Sequence, residues 1–197
     1  MRGVILYGPP AAGKDTITRA LRDLDPACRL FQRLKAGPGR TAGYRMTTVE
    51  HIDQLRAAGD VVWENHRYGA VYVVDRPTLE ADLIDHIPVL HLGQVDAVQA
   101  VRSSLPDVHW LTVYVHCARN IARDRITARA TGDTAARLRA WDETAPLPDA
   151  SLAIDTGTTS PADAARRICE HLAQLAVCVI RQLMCDAVLP GDVRRVV

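Results

Sequence analysis

Residues Gly8 to Thr16 read GPPAAGKDT, between the apolar run Val4-Ile5-Leu6-Tyr7 and an amphipathic segment that begins at Thr16. Gly8, Gly13 and Lys14 carry the spacing G-x-x-x-x-G-K. Between a strand and a helix, this spacing turns main-chain N–H groups inward around a cluster of anionic oxygens, and the lysine adds a mobile cation at the helix start. The stretch is therefore a phosphate-binding loop, with Gly8, Pro9, Pro10, Ala11, Ala12, Gly13, Lys14, Asp15 and Thr16 expected around a nucleoside triphosphate. A tight turn whose glycines serve packing alone has no use for Lys14.

Asp15 stands where Ser or Thr normally offers a hydroxyl to magnesium, and Thr16 follows one residue late. Two readings of Asp15 stay open. A carboxylate is a hard oxygen ligand able to hold Mg²⁺ directly or through water. The same carboxylate also favours the positive helix N-terminus, by about 0.3 to 1 kcal/mol.

The chain has 197 residues, 48% of them apolar, and a formal net charge of +1, which suits one well-buried domain over residues 1–197. A near-neutral balance argues against a broad face for nucleic-acid polymer. Of the 24 basic residues 22 are Arg, whose fork suits small phosphorylated ligands. Cys28, Cys117, Cys169, Cys178 and Cys185 form no zinc spacing and read as buried thiols in a reducing compartment. A strand begins within four residues of Met1 and no apolar run reaches membrane-spanning length, so a cytoplasmic location and no membrane partner are expected.

Short apolar runs alternate with helical periodicity. Strands are expected at 4–7, 28–34, 61–63, 70–74, 88–92, 110–115 and 151–154. Helices are expected at 14–24, 49–58, 76–84, 95–103, 118–127 and 134–141. A last helix starts at Ser160-Pro161, capped by Ser160 and with Asp163 facing its dipole. The alternation predicts an α/β fold: a three-layer arrangement with a parallel central sheet covered by helices. In the last helix Ile168, Leu172, Leu175, Val179 and Leu183 recur at three- and four-residue steps, a core-facing stripe. Two segments break the alternation, 35–45, rich in Gly, Pro and Arg, and 128–134, inside an Arg-bearing helical region. They read as an insertion over the acceptor and a lid over the donor, elements that exclude water when both substrates are present.

With these features in order, residues 1–175 resemble the guanylate-kinase-like group of P-loop nucleoside monophosphate kinases. Gly43-Tyr44-Arg45-Met46, followed by Thr48, Glu50 and Ile52, looks like that family's acceptor segment, and Tyr68-Gly69 looks like the pair that closes it. The resemblance implies an acceptor-binding insertion over about 33–75, with Tyr44 and Tyr68 near the acceptor's phosphate. Segment 121–138 resembles the family's lid, about 125–138, so that Arg125, Arg129 and Arg137 would clamp the transferring phosphoryl group. Ile154-Asp155-Thr156-Gly157 falls where the family holds the adenine base, which assigns Asp155 to ATP. Arg33, Lys35 and Arg40 lie where cations for acceptor phosphate are expected.

The chain departs from guanylate kinases where guanine is read. Gly93 replaces an acidic residue after the strand at 88–92, and the acid expected near Val62 is displaced to Glu64. These departures and the Lys14-Asp15 pair bring the pattern closer to ribose 1,5-bisphosphate phosphokinases of the same fold. The implied activity is transfer of the γ-phosphate of ATP, with Mg²⁺, to a small phosphorylated acceptor, either a ribosyl bisphosphate or a GMP-like nucleotide. A noncatalytic module binding phospholigands and a nucleotide-driven switch are the readings of other classes. Of the seven histidines only His91, near the end of a central strand, lies beside the expected crevice. Oligomeric state has no signature in the sequence.

Overall fold

The computed structural model describes residues 1–129 and 133–186, with side chains to residue 175. Its main sheet is parallel and has five strands: β1 (Arg2–Tyr7), β2 (Cys28–Leu30), β7 (Ile87–Leu92), β8 (His109–His116) and β9 (Leu152–Asp155), in the order β2-β7-β1-β8-β9. The strands are apolar on both faces because helices cover both. On one face α1 (Lys14–Leu24) and α7 (Pro161–Asp186) pack together, with Ile17, Leu21, Ile168 and Leu172 over Val4, Leu6, Val113 and Ile154. On the other face α3 (Arg76–Asp85) and α4 (Val95–Ser104) bring Leu79, Leu83, Val98 and Val101 onto Ile5, Tyr7 and Leu90. Three layers result, as the alternation predicts.

The central strand β1 pairs with β7 on one side and β8 on the other, so the loop that leaves Tyr7 emerges where the chain order diverges. That crevice at the carboxyl ends of the strands is where open α/β sheets bind ligands.

The stretch 33–75 departs from simple alternation. The strand expected at 28–34 splits: Phe31 enters the main core, and the chain then crosses to a second sheet as β3 (Leu34–Ala36). The strand expected at 61–63 runs on to Arg67 as β5 (Val61–Arg67) and forms a hairpin with β6 (Ala70–Asp75). With β4 (Arg45–Met46) these form a mixed sheet of order β4-β3-β6-β5. The hairpin turn Tyr68-Gly69 has both residues left-handed, φ 54° and 72°, as two-residue hairpin turns require. One face of the sheet packs Leu34, Ala36 and Val73 on Ile52 of α2 (Val49–Ala58). Strand alternation sends Lys35, Asn65 and Tyr72 to the other face.

An ion pair ties β4 to β6 within this second sheet and reaches α3. Arg45 on β4 donates to the buried carboxylate of Asp75, to Thr78 Oγ1 at 2.9 Å and to Gln32 O at 2.8 Å. Further along, α5 (Arg119–Ala128) and α6 (Thr134–Asp142) flank the segment expected as the lid, whose residues 130–132 lie outside those described. The last helix begins as expected: Ser160 Oγ accepts from the Asp163 N–H at 3.1 Å, and Ile168 and Leu172 are buried. Val179, Leu183, Cys178 and Cys185 lie outside the described side chains. Cys28 and Cys117 are buried free thiols and Cys169 is half-buried. Among the described residues no helix is long and apolar enough to cross a membrane.

Arg45→Met leaves the Asp75 carboxylate buried without its cation and should cost about 3 kcal/mol. The check is urea denaturation, which should show a lower midpoint at an unchanged slope.

Candidate functional site

The loop after β1 takes its shape from contacts only glycine permits. Gly8 has φ +154°, and a Cβ there would stand 1.9 Å from the carbonyl oxygen of Val115 on β8. Its N–H donates to Leu92 O of β7 at 3.1 Å, so both neighbouring strands fix it. Ala11 and Gly13 are also left-handed, at φ 61° and 98°. The chain then enters α1 without a side-chain cap. Helix geometry leaves the N–H groups of Gly13, Lys14 and Asp15 without intrahelical acceptors, and the helix dipole adds positive potential there.

Lys14 folds into the loop, Nζ donating to Gly8 O at 2.5 Å and Pro9 O at 2.9 Å. Desolvation lowers its pKa to about 8; Asp15 opposes the shift, and Arg33 and Arg129 add to it. The loop opens onto a cleft of about 200 Å³ lined by Gly8, Pro10, Ala11, Ala12, Gly13, Lys14 and Asp15 on one side. Across from them stand Arg33, Arg40, Tyr44, Asn65, Arg67, Tyr68, Arg129 and Arg137. Asp15 is the one carboxylate among these lining residues.

Asp15 belongs to a network that neither reading of the sequence contains. His91 Nδ1 lies 3.4 Å from Asp15 Oδ1, His91 Nε2 lies 2.7 Å from Thr18 Oγ1, and Arg40 Nη1 lies 3.4 Å from Asp15 Oδ2. The His91 hydrogen bond, helped by Arg40, holds the Asp15 carboxyl well below the usual carboxylate range. Burial pushes His91 down, against the pull of Asp15. A neutral imidazole carrying its proton on Nδ1 satisfies both partners, donating to Asp15 and accepting from the Thr18 hydroxyl. Thr16 faces elsewhere, its Oγ1 donating to Gly13 O at 2.7 Å.

Several expected residues are placed differently. Glu64 leaves the cleft by strand alternation: it faces α2, where Arg56 Nε donates to it at 2.8 Å. Lys35 is buried, and its Nζ donates to Pro38 O at 2.6 Å and Arg40 O at 2.7 Å, so it shapes the loop below the cleft. Arg125 also points away from the cleft. It donates to Ala11 O at 3.2 Å, Thr156 Oγ1 at 2.9 Å and Thr156 O at 2.9 Å, bracing the loop from behind. Asp155 folds onto its own turn and accepts from the Gly157 N–H at 2.8 Å. Its neighbour Thr156 instead lines a second pocket of about 400 Å³, with Gly13, Thr16, Arg125, Arg129, Thr159 and Pro161.

The cleft brings together Lys14, Arg33, Arg40, Tyr44, Tyr68, Arg129 and Arg137 from the expected set. Arg33 lies over the rings of Tyr44 and Tyr72 at 5.8 and 5.4 Å, and Arg137 lies over Tyr68 at 5.5 Å while its Nε donates to Asp133 at 2.7 Å. Residues 130–132 of the expected lid are not among those described. Asn65, Arg67, Gln94 and Thr144 were not foreseen, and within the segment expected at the adenine base Thr156 takes the place assigned to Asp155. Asn65 and Arg67 had a readable signal, since extending the alternation of β5 to the Tyr68-Gly69 turn puts both opposite Glu64. Thr144 had none: it reaches the cleft because the Tyr7 hydroxyl donates to Ala145 O at 2.6 Å, a contact 138 positions apart.

No family model matches the chain. A guanylate kinase of Granulibacter bethesdensis is 29% identical over 108 residues, 52% of this chain and 51% of that protein. The chain thus matches about half the length of this curated relative. Among solved structures, a guanylate kinase of Anaplasma phagocytophilum superposes with a TM-score of 0.56 at 13% identity, covering 87% of this chain and 84% of that one. A gluconokinase of Sinorhizobium meliloti 1021 superposes with a TM-score of 0.52 at 18% identity, covering 91% and 96%. The α/β fold with its five-stranded parallel sheet is therefore one that guanylate kinase and gluconokinase structures share.

The Lys14 pKa has a measurable consequence. Folding lowers it from 10.5 to about 8, so between those values the unfolded chain holds the extra proton and this group's contribution to stability rises with pH. A polyphosphate beside Nζ favours the ammonium and reverses the trend. Tripolyphosphate binding at pH 8.5 should draw in protons, visible by calorimetry in buffers of different ionisation enthalpy; at pH 6.5, and in Lys14→Met, the uptake should vanish.

Proposed function

We propose that the chain is an ATP-dependent phosphotransferase that moves the γ-phosphate of ATP to a small acceptor already bearing phosphate, of the ribose 1,5-bisphosphate kind. One observation carries this reading: a phosphate-binding loop with its lysine faces, across one cleft, the arginines and tyrosines of a second sheet. A cleft that binds one anion on the loop needs cations opposite only if a second anion must come close to the first. The similarity to guanylate kinase supports a P-loop small-molecule kinase.

The residues fit ATP and magnesium. The Gly8 turn keeps backbone N–H groups clear for the β- and γ-phosphates, and Lys14 exchanges its carbonyl partners for phosphate oxygens. The Thr156 pocket, with Thr159, Pro161 and the aliphatic stem of Arg129, would hold the base. Asp15, kept ionised beside the loop, is the hard oxygen ligand in reach of the triphosphate; Thr16 is turned to the opposite side. Magnesium bound there would neutralise phosphate charge, together with substrate oxygens and water. Among the described residues no three acidic, His or Cys groups form a closed metal cage, which suits an ion carried with the nucleotide.

Transfer then needs placement and charge. An oxygen of the acceptor phosphate forms the new bond to Pγ as the bond to the β–γ bridging oxygen breaks, and ADP leaves with that electron pair. The acceptor phosphate is ionised near neutral pH, so no base is required. Arg33, Arg40 and Tyr44 hold the acceptor, Tyr68 lines its far wall, and Arg129 and Arg137 meet charge spreading over the transferring group. Arg125 holds the loop in shape from the side of the base pocket and stays outside the main cleft.

The second reading, a GMP-like nucleotide acceptor, is favoured by the sequence similarity to a guanylate kinase. Against it, Val62 is buried in the core, Gly93 offers no carboxylate and Glu64 is held by Arg56. A site without those acids lacks acceptors for the guanine N–H groups.

The test is ADP release with ATP, Mg²⁺ and a panel of ribosyl phosphates and nucleoside monophosphates. Turnover should be highest with ribose 1,5-bisphosphate, and Lys14→Ala should lower it by about 10³ or more. Absence of ADP above background with every acceptor would overturn the reading, and tight phosphopeptide binding without ATP affinity would mark a noncatalytic module. The two lid arginines should also separate: Arg129→Met should lower kcat about 10²-fold with stability kept, whereas Arg125→Met should lower the thermal midpoint and weaken ATP binding.

A further inference from the structure

Four buried side-chain polar atoms lack a hydrogen-bond partner among the described residues: Nε1 of Trp63, Trp110 and Trp141, and Oδ1 of Asn65. The three indoles line neither the cleft nor its neighbouring cavities, whereas Asn65 lines the main cleft and the adjoining cavity of about 170 Å³ beneath Tyr68 and Tyr72. Leaving a buried carboxamide oxygen unpaired is unfavourable, and the arrangement is sustained where a ligand supplies the missing partner.

The neighbours define that partner. Across the hairpin Asn65 faces Tyr72, whose ring lies under the guanidinium of Arg33; Arg67 follows two residues along the same face. Phosphate oxygens have these guanidiniums to bind, at fixed charge, and do not need the amide. A carboxamide presents an NH₂ with two donors at one end and an acceptor oxygen at the other, and a hydroxyl, which both donates and accepts, pairs with either end. From these observations we infer that Asn65 is a specificity residue that hydrogen-bonds a ribosyl hydroxyl of the acceptor, next to the phosphate held by the arginines. This rests on the phosphotransferase reading above and adds to it which part of the acceptor is read.

The position explains how one cleft distinguishes a sugar phosphate from bare phosphate or a carboxylate of similar charge. Arginines bind all of these. Pairing with Asn65 requires a hydroxyl at a set distance from the anion, and a site built on such a bond rejects the analogue lacking it more strongly than an apolar pocket does.

The test is a cycle of enzyme against substrate. Wild-type protein is assayed with ribose 1,5-bisphosphate and its 2-deoxy and 3-deoxy analogues, alongside Asn65→Leu and the isosteric Asn65→Asp, with ATP affinity measured for each to confirm a folded donor site. Wild type should lose at least tenfold in kcat/KM on one deoxy analogue. Asn65→Leu should lose a similar factor on the full substrate and nothing further on that analogue, and Asn65→Asp, which keeps the acceptor oxygen, should retain the discrimination at lower overall activity. Equal losses on full and deoxy substrates, or a wild type indifferent to both hydroxyls, would overturn the inference. If sugar bisphosphates are not substrates but GMP is, the same cycle with GMP and dGMP decides the role of Asn65 separately from the identity of the acceptor. Turnover of neither class removes both proposals.

Discussion

The close passage of Gly8 over Val115 is the constraint on which the molecule is organised. With its Cα path pressed against a carbonyl of β8 and its N–H bonded to β7, the chain has one way to leave β1, and that way delivers six residues of loop to the crevice above the sheet. A side chain at Gly8 would lift the loop off the strands. The first turn of α1 would then lose its aim, because its free N–H groups point into the crevice only while the loop hugs the strand ends.

Charge is the second organising feature, and it follows from the first. Lys14, Arg33, Arg40, Arg129 and Arg137 converge on a space already positive from the helix terminus, with Asp15 as the single acidic lining group. Like charges so gathered disfavour one another: burial is the main cause of the lowered Lys14 pKa, and Arg33 and Arg129 deepen it. The fold reduces the strain locally: Lys14 rests on two loop carbonyls, Arg33 on two tyrosine rings, Arg137 on Asp133 and Tyr68. Each of these partners is neutral or lies at the edge of the cleft, which leaves the space itself suited to anions.

Arg125 and Arg129, four residues apart on one helical stretch, illustrate how far residue type falls short of role. Both are arginines of a lid-like segment. Both line the pocket beside Thr156, but Arg125 turns its N–H groups to Thr156 and Ala11 at the back of the phosphate loop, whereas Arg129, at the end of α5, also lines the cleft. Glu64 and Asn65 make the same point on a strand, where a shift of one residue exchanges the α2 face for the cleft face. Lys35 is a third case, a cation drawn into the protein to hold the loop carbonyls of Pro38 and Arg40.

Local chemistry in the sequence was enough for the phosphate loop, the three layers and the start of the last helix. Glycine spacing, strand and helix periods and a Ser cap all act between residues close in the chain. The second sheet was legible only in part, because the break after Phe31 and the extension of β5 depend on which core each segment joins. The direction of each arginine, the neutral His91 bridging Thr18 and Asp15, and the arrival of Thr144 and Thr156 at the cavities were decided by tertiary structure alone. These are contacts between groups tens to more than a hundred residues apart, whose partners exist only after the sheets have packed.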